Sequence, residues 1–155
     1  TLSRYTSFSE NFVLANKFYL STIDGLNNDD VRLSKRNFLS SKRLRGFQKG
    51  KVGPKDGKDH VGGNYAAAVN LEMNLPKLLP DSTNLDVGLF LDFGNVWGVD
   101  YDESLDNSNK IRSSTGVQAS WMSPIGPMTF VFSQTLQKSD SDSAETFNFN
   151  LGTTF

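Results

Sequence analysis

From residue 64 onward, apolar side chains recur at every second position with a regularity that few folds accommodate. Tyr65, Ala67, Val69, Leu71, Met73 and Leu75 share one parity against Asn64, Ala66, Ala68, Asn70, Glu72 and Asn74, and Pro76 closes the run. Leu85, Val87, Leu89, Leu91, Phe93 and Trp97 are set against Asp86, Gly88, Phe90, Asp92 and Gly94. Ile111, Thr115, Val117, Ala119 and Trp121 then oppose Arg112, Ser114, Gly116, Gln118 and Ser120, and Met128, Phe130, Phe132 and Leu136 oppose Thr129, Val131, Ser133 and Thr135. A last run, 144–155, sets Phe147, Phe149, Leu151 and Phe155 against Asn148, Asn150 and Thr154. Successive side chains of a strand point to opposite faces, so each run is a strand with one apolar face and one small or polar face.

Upstream, residues 10–23 repeat the pattern: Phe12, Leu14, Phe18 and Leu20 take one parity, and Asn11, Ala15, Lys17, Tyr19 and Ser21 the other. Thr1 to Ser7 reads as the tail of a strand whose start is missing. Because the numbering opens on Thr1-Leu2-Ser3-Arg4, the chain is read as an excised or processed piece of a longer one. Between the two regions, over 24–62, the alternation stops and glycines and basic residues accumulate (Lys35-Arg36, Lys42-Arg43, Gly50, Gly53-Pro54, Gly57). A loop this long inside a compact protein is usually functional or disordered.

The connections alternate in length: Pro76 to Thr83 and Ser123 to Pro127 are short, whereas Gly98 to Asn109 and Lys138 to Ser143 are longer and polar. Antiparallel membrane barrels have that arrangement, with strands of about 10 residues, an apolar outer face and a polar lumen. The composition agrees, since only 37% of the chain is hydrophobic yet it carries 12 Phe and 13 Gly. No run of about 18 apolar residues occurs, which excludes a membrane helix and leaves membrane strands open. Alternation alone also suits a soluble β-sandwich acting as a binding module. The terminal Phe155, and Trp97 and Trp121 near strand ends where an interfacial girdle sits, favour the barrel. The expected fold is therefore all-β: 1–155 forms part of an antiparallel transmembrane β-barrel, with six to seven strands and one long loop.

Catalytic chemistry is thin. A formal charge of -1 gives no electrostatic reason to expect nucleic acid, and the lack of cysteine removes disulfides and thiolate metal sites. His60 is the sole histidine, and its Gly/Lys/Asp-rich surroundings read as a solvated loop. Asp100, Asp102, Glu103 and Asp106 lack the glycine and terminal glutamate of a calcium loop and read as a solvated acidic loop. No enzyme, cofactor or metal is expected.

Parity does carry one specific inference. If the Leu/Val/Phe faces meet lipid, then Lys17, Glu72, Asp92 and Arg112 face the lumen. Glu72 and Asp92 lie on consecutive strands, and two neighbouring carboxylates repel unless a cation sits between them. Arg45 in the long loop is the natural candidate, because a guanidinium fork suits carboxylates. Gly46 beside it permits a sharp turn, and Phe47 is an anchor for the loop tip. A solvated loop arginine is the alternative.

Leu44-Arg45-Gly46-Phe47, Gly53-Pro54, Val61-Gly62-Gly63-Asn64, Leu91 to Trp97, Trp121 to Pro127 and the ending Phe147 to Phe155 together resemble, in consistent order, the C-terminal part of the BamA family of outer-membrane insertases. The resemblance implies a bacterial outer-membrane location and the last strands of a sixteen-stranded barrel. The missing upstream part would hold the first strands and polypeptide-transport-associated (POTRA) domains. It further implies that the 44–47 loop motif inserts into the lumen and contacts the acidic residues of the corresponding strands. A lateral seam at the last strand would let client strands add by main-chain pairing, with Phe147, Phe149, Leu151 and Phe155 as the strand's own assembly signal and Gly152 as a weak point. Lipids, unfolded barrel clients and accessory lipoproteins are the implied partners. Two-partner secretion transporters, which translocate polypeptides, share the loop motif and are the neighbouring alternative.

Overall fold

The computed structural model describes residues 1–26, 29–105 and 110–152. Seven strands form one antiparallel sheet: β1 (Leu2–Ser9), β2 (Phe12–Thr22), β5 (Tyr65–Leu75), β6 (Leu85–Trp97), β7 (Arg112–Ser123), β8 (Gly126–Gln137) and β9 (Phe147–Leu151). The small hairpin β3 (Lys55–Asp56) and β4 (Asp59–His60) lies within the long loop. The sheet order is β1-β2-β5-β6-β7-β8-β9, so each strand pairs with the next one of the sheet in the chain. All-β architecture and strand number agree with the sequence. The last strand begins later than residue 144: Ala144 forms an isolated bridge with Phe47 ahead of β9, and 153–155, including Phe155, fall outside the described residues.

Alternation divides the wall as expected. On β5 and β6 the even-numbered Ala66, Ala68, Asn70, Glu72, Phe90, Asp92 and Val96 are buried, while Met73 and Leu89 on the odd face are exposed. A one-residue slip would exchange the two sets, so the observed register fixes which face is the lumen. The register places Asp92 opposite Asn70, and Glu72 opposite Phe90. Glu72 and Asp92 are therefore diagonal neighbours on the same face rather than a directly opposed pair. The apolar outer face extends to the edge strand, where Phe130 and Phe149 rings lie 5.2 Å apart and Phe132 and Phe147 rings 4.9 Å apart.

Short turns gather at one end of the sheet. Pro124-Ile125 joins β7 to β8, with Gly126 at φ +124 and the Ser123 hydroxyl donating to the Gly126 carbonyl at 2.6 Å. Longer connections gather at the other end, and the longest of them, between β2 and β5, folds back against the even-numbered face as a plug. Leu39, Leu44, Phe47 and Val52 of the plug pack with Ala66 and Ala68 of β5 and Val96 of β6 into one apolar cluster. Small wall residues make this fit possible: a Cβ on Gly94 would lie 3.0 Å from Leu39 and 3.3 Å from Leu44.

Candidate functional site

At the tip of the plug the chain makes a single helical turn, with the Arg43 and Leu44 amides donating to the Ser40 carbonyl at 3.0 and 3.1 Å. The Asn70 amide group caps this turn from the wall by donating to the Arg43 carbonyl at 2.9 Å. Leu44 then points into the apolar cluster and Arg45 the opposite way, toward the polar centre of the sheet. Gly46 follows at φ +87, a region side-chain-bearing residues rarely occupy, and its Cβ position lies 3.0 Å from Ser114 Cβ. The backbone can pass that close to β7 only without a side chain. Phe47 returns to the cluster at 1% exposure.

Arg45 meets both carboxylates. Its Nε donates to Asp92 Oδ2 at 2.7 Å and its Nη2 to Asp92 Oδ1 at 2.6 Å, a side-on fork, and its own backbone amide reaches Oδ2 at 3.1 Å. Nη1 donates to Gln118 Oε1 at 2.9 Å and lies 2.8 Å from Glu72 Oε1. The Phe90 ring sits beneath the guanidinium, 3.9 Å from centroid to Cζ. Asp92 is fully buried and Arg45 only 5% exposed, so removal of these charges from water is offset only because nearly every donor finds a partner. Ser114 on β7 completes the set, its hydroxyl donating to the Arg45 carbonyl.

Glu72 is shared. Lys17 of β2 donates to its second oxygen at 2.8 Å, so the carboxylate lies between two cations. Two positive and two negative side chains thus close on one another, and the cluster is neutral. Parity placed Lys17 on this face but did not reveal it as a partner of Glu72; the register opposing β2 and β5 (Ala15 to Glu72, Lys17 to Asn70) brings it there. Phe90, Gln118 and Ser114 lie on the face assigned to the lumen, and their parity was the available signal for them. On the other side of the cluster a cavity of about 520 Å³ opens, bordered by Lys17, Tyr19, Arg43, Arg45, Asn70 and Glu72.

Two further ion pairs fasten the plug at the end of the longer loops. Arg36, buried in the first limb of the plug, pairs with Asp100 in the β6–β7 loop and stacks on Tyr101, 5.0 Å from its ring centroid. Asp100 also accepts the Val31 amide at 2.7 Å and the Asn64 amide group at 3.3 Å. Arg112 at the start of β7 pairs with Asp142 in the β8–β9 loop at 2.8 Å. These loops are thus not simply solvated. Asp100 is a fastener, Asp102 caps Ser104 at 3.0 Å, and His60 is half-buried, its Nε2 2.9 Å from the Ser141 carbonyl. Burial pushes the His60 imidazole below its ordinary pKa. No metal-binding cluster occurs among the described residues, and Asp106 lies outside them. Gly152, with φ +109, follows Leu151 of β9, and Phe147, Phe149 and Leu151 keep their outward alternation.

A curved wall of alternating antiparallel strands, sealed on its polar face by an arginine-tipped loop, defines part of a β-barrel that carries its own plug. The Omp85 superfamily domain matches residues 1–155, and the chain belongs to that superfamily. It is similar to the outer membrane protein assembly factor BamA of Neisseria meningitidis serogroup B: 33% identical over 141 residues, covering 72% of this chain and 17% of that protein. The same factor of Neorickettsia risticii is 29% identical over 151 residues, 96% of this chain and 20% of that protein. The crystal structure of BamA from Haemophilus ducreyi lacking POTRA domains 1-3 superimposes with a TM-score of 0.86 at 25% identity, over 95% of this chain and 32% of that one. The chain thus spans less than a third of each of these relatives.

Proposed function

We propose that this chain is the C-terminal barrel portion of an outer-membrane protein assembly factor, which inserts unfolded β-barrel proteins into the bacterial outer membrane through a lateral seam at β9. The full protein carries the remaining strands and POTRA domains, and works with lipids and accessory lipoproteins. It performs no bond-making chemistry. In this reading Leu44, Arg45, Gly46 and Phe47 with Glu72 and Asp92 hold the plug in the lumen. Phe147, Phe149, Leu151, Gly152 and Phe155 form the seam strand and its terminal signal.

The observation that carries the proposal is the arginine-tipped plug, with Arg45 bound to Asp92 and Glu72 of the wall, in a sheet of which β9 forms one edge. Unpaired main-chain groups at a sheet edge template an incoming strand. The likeness to BamA proteins supports the same reading. The test is complementation with the full-length protein. Depletion of the native protein with Gly46→Pro or Arg45→Ala in its place is expected to lower the amount of heat-modifiable client barrels in the outer membrane. Normal client levels beside a misplaced plug would overturn the role given to the loop motif.

A further inference from the structure

The hairpin β3–β4 carries the chain's sole histidine to a contact between plug and wall. Lys55 lies opposite His60 across the hairpin, and the Val61 amide donates to the Pro54 carbonyl at 3.0 Å, so a closed turn sets the ring's place. Its Nε2 is 2.9 Å from the Ser141 carbonyl of the β8–β9 loop. A carbonyl oxygen can only accept, so Nε2 carries the proton of the neutral ring. Nδ1 is then a bare acceptor, shut off from water and without a hydrogen-bond partner among the described residues.

A second proton has only Nδ1 to go to. There it makes an N–H with no acceptor in a place closed to water, which costs the desolvation of a charged donor. The charged groups that face the ring are Lys51 and Lys55 of the plug and Asp142 of the β8–β9 loop. The two lysines repel an imidazolium. Asp142 attracts one, but it is already engaged: Arg112 holds it at 2.8 Å, and the Ser139 and Gly53 amides donate to it at 2.6 and 3.2 Å. Lys58, Asp59 and Asp140, beside the two contacting residues in the chain, are exposed. The berth therefore fits the neutral ring and rejects the cation. The limb just before the hairpin is tied to the same loop by main-chain bonds, Gln48 donating to the Ser143 carbonyl at 2.9 Å and Ser143 to the Lys51 carbonyl at 3.1 Å. His60 extends that attachment to the hairpin.

We propose that His60 is an acid-released latch: neutral, it fastens the β3–β4 hairpin of the plug to the β8–β9 loop through Ser141, and on protonation it leaves that contact and frees the hairpin. The latch depends on where the plug sits and not on what the barrel does. Its sign follows from linkage. Burial and the two lysines hold the docked ring below the ordinary value of 6.5, so the undocked ring takes up a proton first. Docking is at full strength above pH 6.5 and weakens by up to about tenfold per pH unit below it.

The test uses the full-length protein in lipid nanodiscs, with spin labels on Lys58→Cys and Asp140→Cys as its only cysteines. At about pH 7.5 the distance between the labels is expected to be narrowly distributed, and at about pH 5 broad and longer. In His60→Gln the side-chain amide can still donate to the Ser141 carbonyl but cannot titrate, and the narrow distribution is expected at both pH values. In His60→Ala it is expected at neither. No change in the unsubstituted protein between the two pH values overturns the latch, as does a change that persists in His60→Gln, because another group would then be titrating. Where His60→Gln does not dock at all, the imidazole itself decides: the carbon-13 signal of His60, assigned by its loss in His60→Ala, is expected to titrate below pH 6.5, and a midpoint at or above 6.5 overturns the proposal.

Discussion

Arg45 and Asp92 are joined by three hydrogen bonds, two from the guanidinium at 2.7 and 2.6 Å and one from the arginine's own amide at 3.1 Å. The carboxylate therefore fixes the loop's backbone as well as its side chain. Breaking a buried pair by deleting one partner typically costs about 3–5 kcal/mol, because the other charge stays buried. Arg45→Ala and Asp92→Asn are each expected to destabilise the barrel in that range, and together by much less than their sum. Additive losses in a urea-unfolding double-mutant cycle would show that the two do not act as a unit. Arg45→Lys is expected to recover only part, since an ammonium cannot span both oxygens.

Lys17 offers an internal contrast. Its side chain is 35% exposed and the Glu72 it contacts is also held by Arg45. Lys17→Met is expected to cost no more than about 1 kcal/mol, the range of solvent-screened pairs. A loss comparable to Arg45→Ala in the same unfolding assay would mean that Lys17, not Arg45, neutralises Glu72.

Two glycines of the plug separate space from backbone conformation. Gly46 and Gly57 both have positive φ, +87 and +58, but a Cβ meets Ser114 at 3.0 Å in the first and nothing within 4 Å in the second. Gly57→Ala pays only the left-handed backbone cost of about 1 kcal/mol. Gly46→Ala is expected to add a clash against β7 and to release the motif, visible as faster proteolysis of the loop. Equal thermal shifts for the two variants would refute the close approach.

On the outer face, Leu89→Arg is expected to cost about 2–4 kcal/mol near the membrane midplane, where an arginine cannot reach water. Asn150→Arg, on a residue bordering the lumen cavity, is expected to change folding free energy little. Reversal of that order in folding titrations from denaturant into lipid vesicles would invert the assignment of the faces.

The Arg36–Asp100 fastener predicts an acid limit for the first limb of the plug. Burial raises the Asp100 pKa, but the Val31 amide, Asn64 and Arg36 outweigh it and hold the carboxyl at about 2. A carboxyl with a lowered folded-state pKa contributes stability above its unfolded value near 3.8, and that contribution is lost as pH falls to about 2. The Val31 amide is therefore expected to lose exchange protection between about pH 4 and pH 2, after allowance for the intrinsic pH dependence of exchange. Asp100→Asn should remove that dependence.

Strand number and faces were readable because period two is a one-dimensional signal that survives in a bare sequence, whereas Arg45, in a loop without period, was tied to Glu72 and Asp92 only with the family resemblance added to parity and charge. Parity placed Glu72, Asp92, Lys17 and Arg112 on one face without any structure. It could not supply register, and so the opposition of Asp92 to Asn70, and of Glu72 to Phe90, had to be seen. Nor could it reach irregular backbone: Asp142 sits in a loop with no period, and Asp100 looked like one acid among several. His60 looked solvated for the same reason, since its contact with Ser141 joins residues 81 positions apart.

The apolar cluster beneath the wall also bears on the order in which the parts are expected to assemble. Leu39, Leu44, Phe47 and Val52 are packed against Ala66, Ala68 and Val96, with charged Arg45 between them and β7. A wall that had already closed would have to admit these bulky side chains through a polar interior and strip water from Arg45 on the way. Residues 39–52 precede β5 and β6 in the chain, so the lowest-cost sequence of events is the opposite one. The loop tip is therefore expected to dock before the strands close around it, the plug serving as a mandrel for this part of the wall.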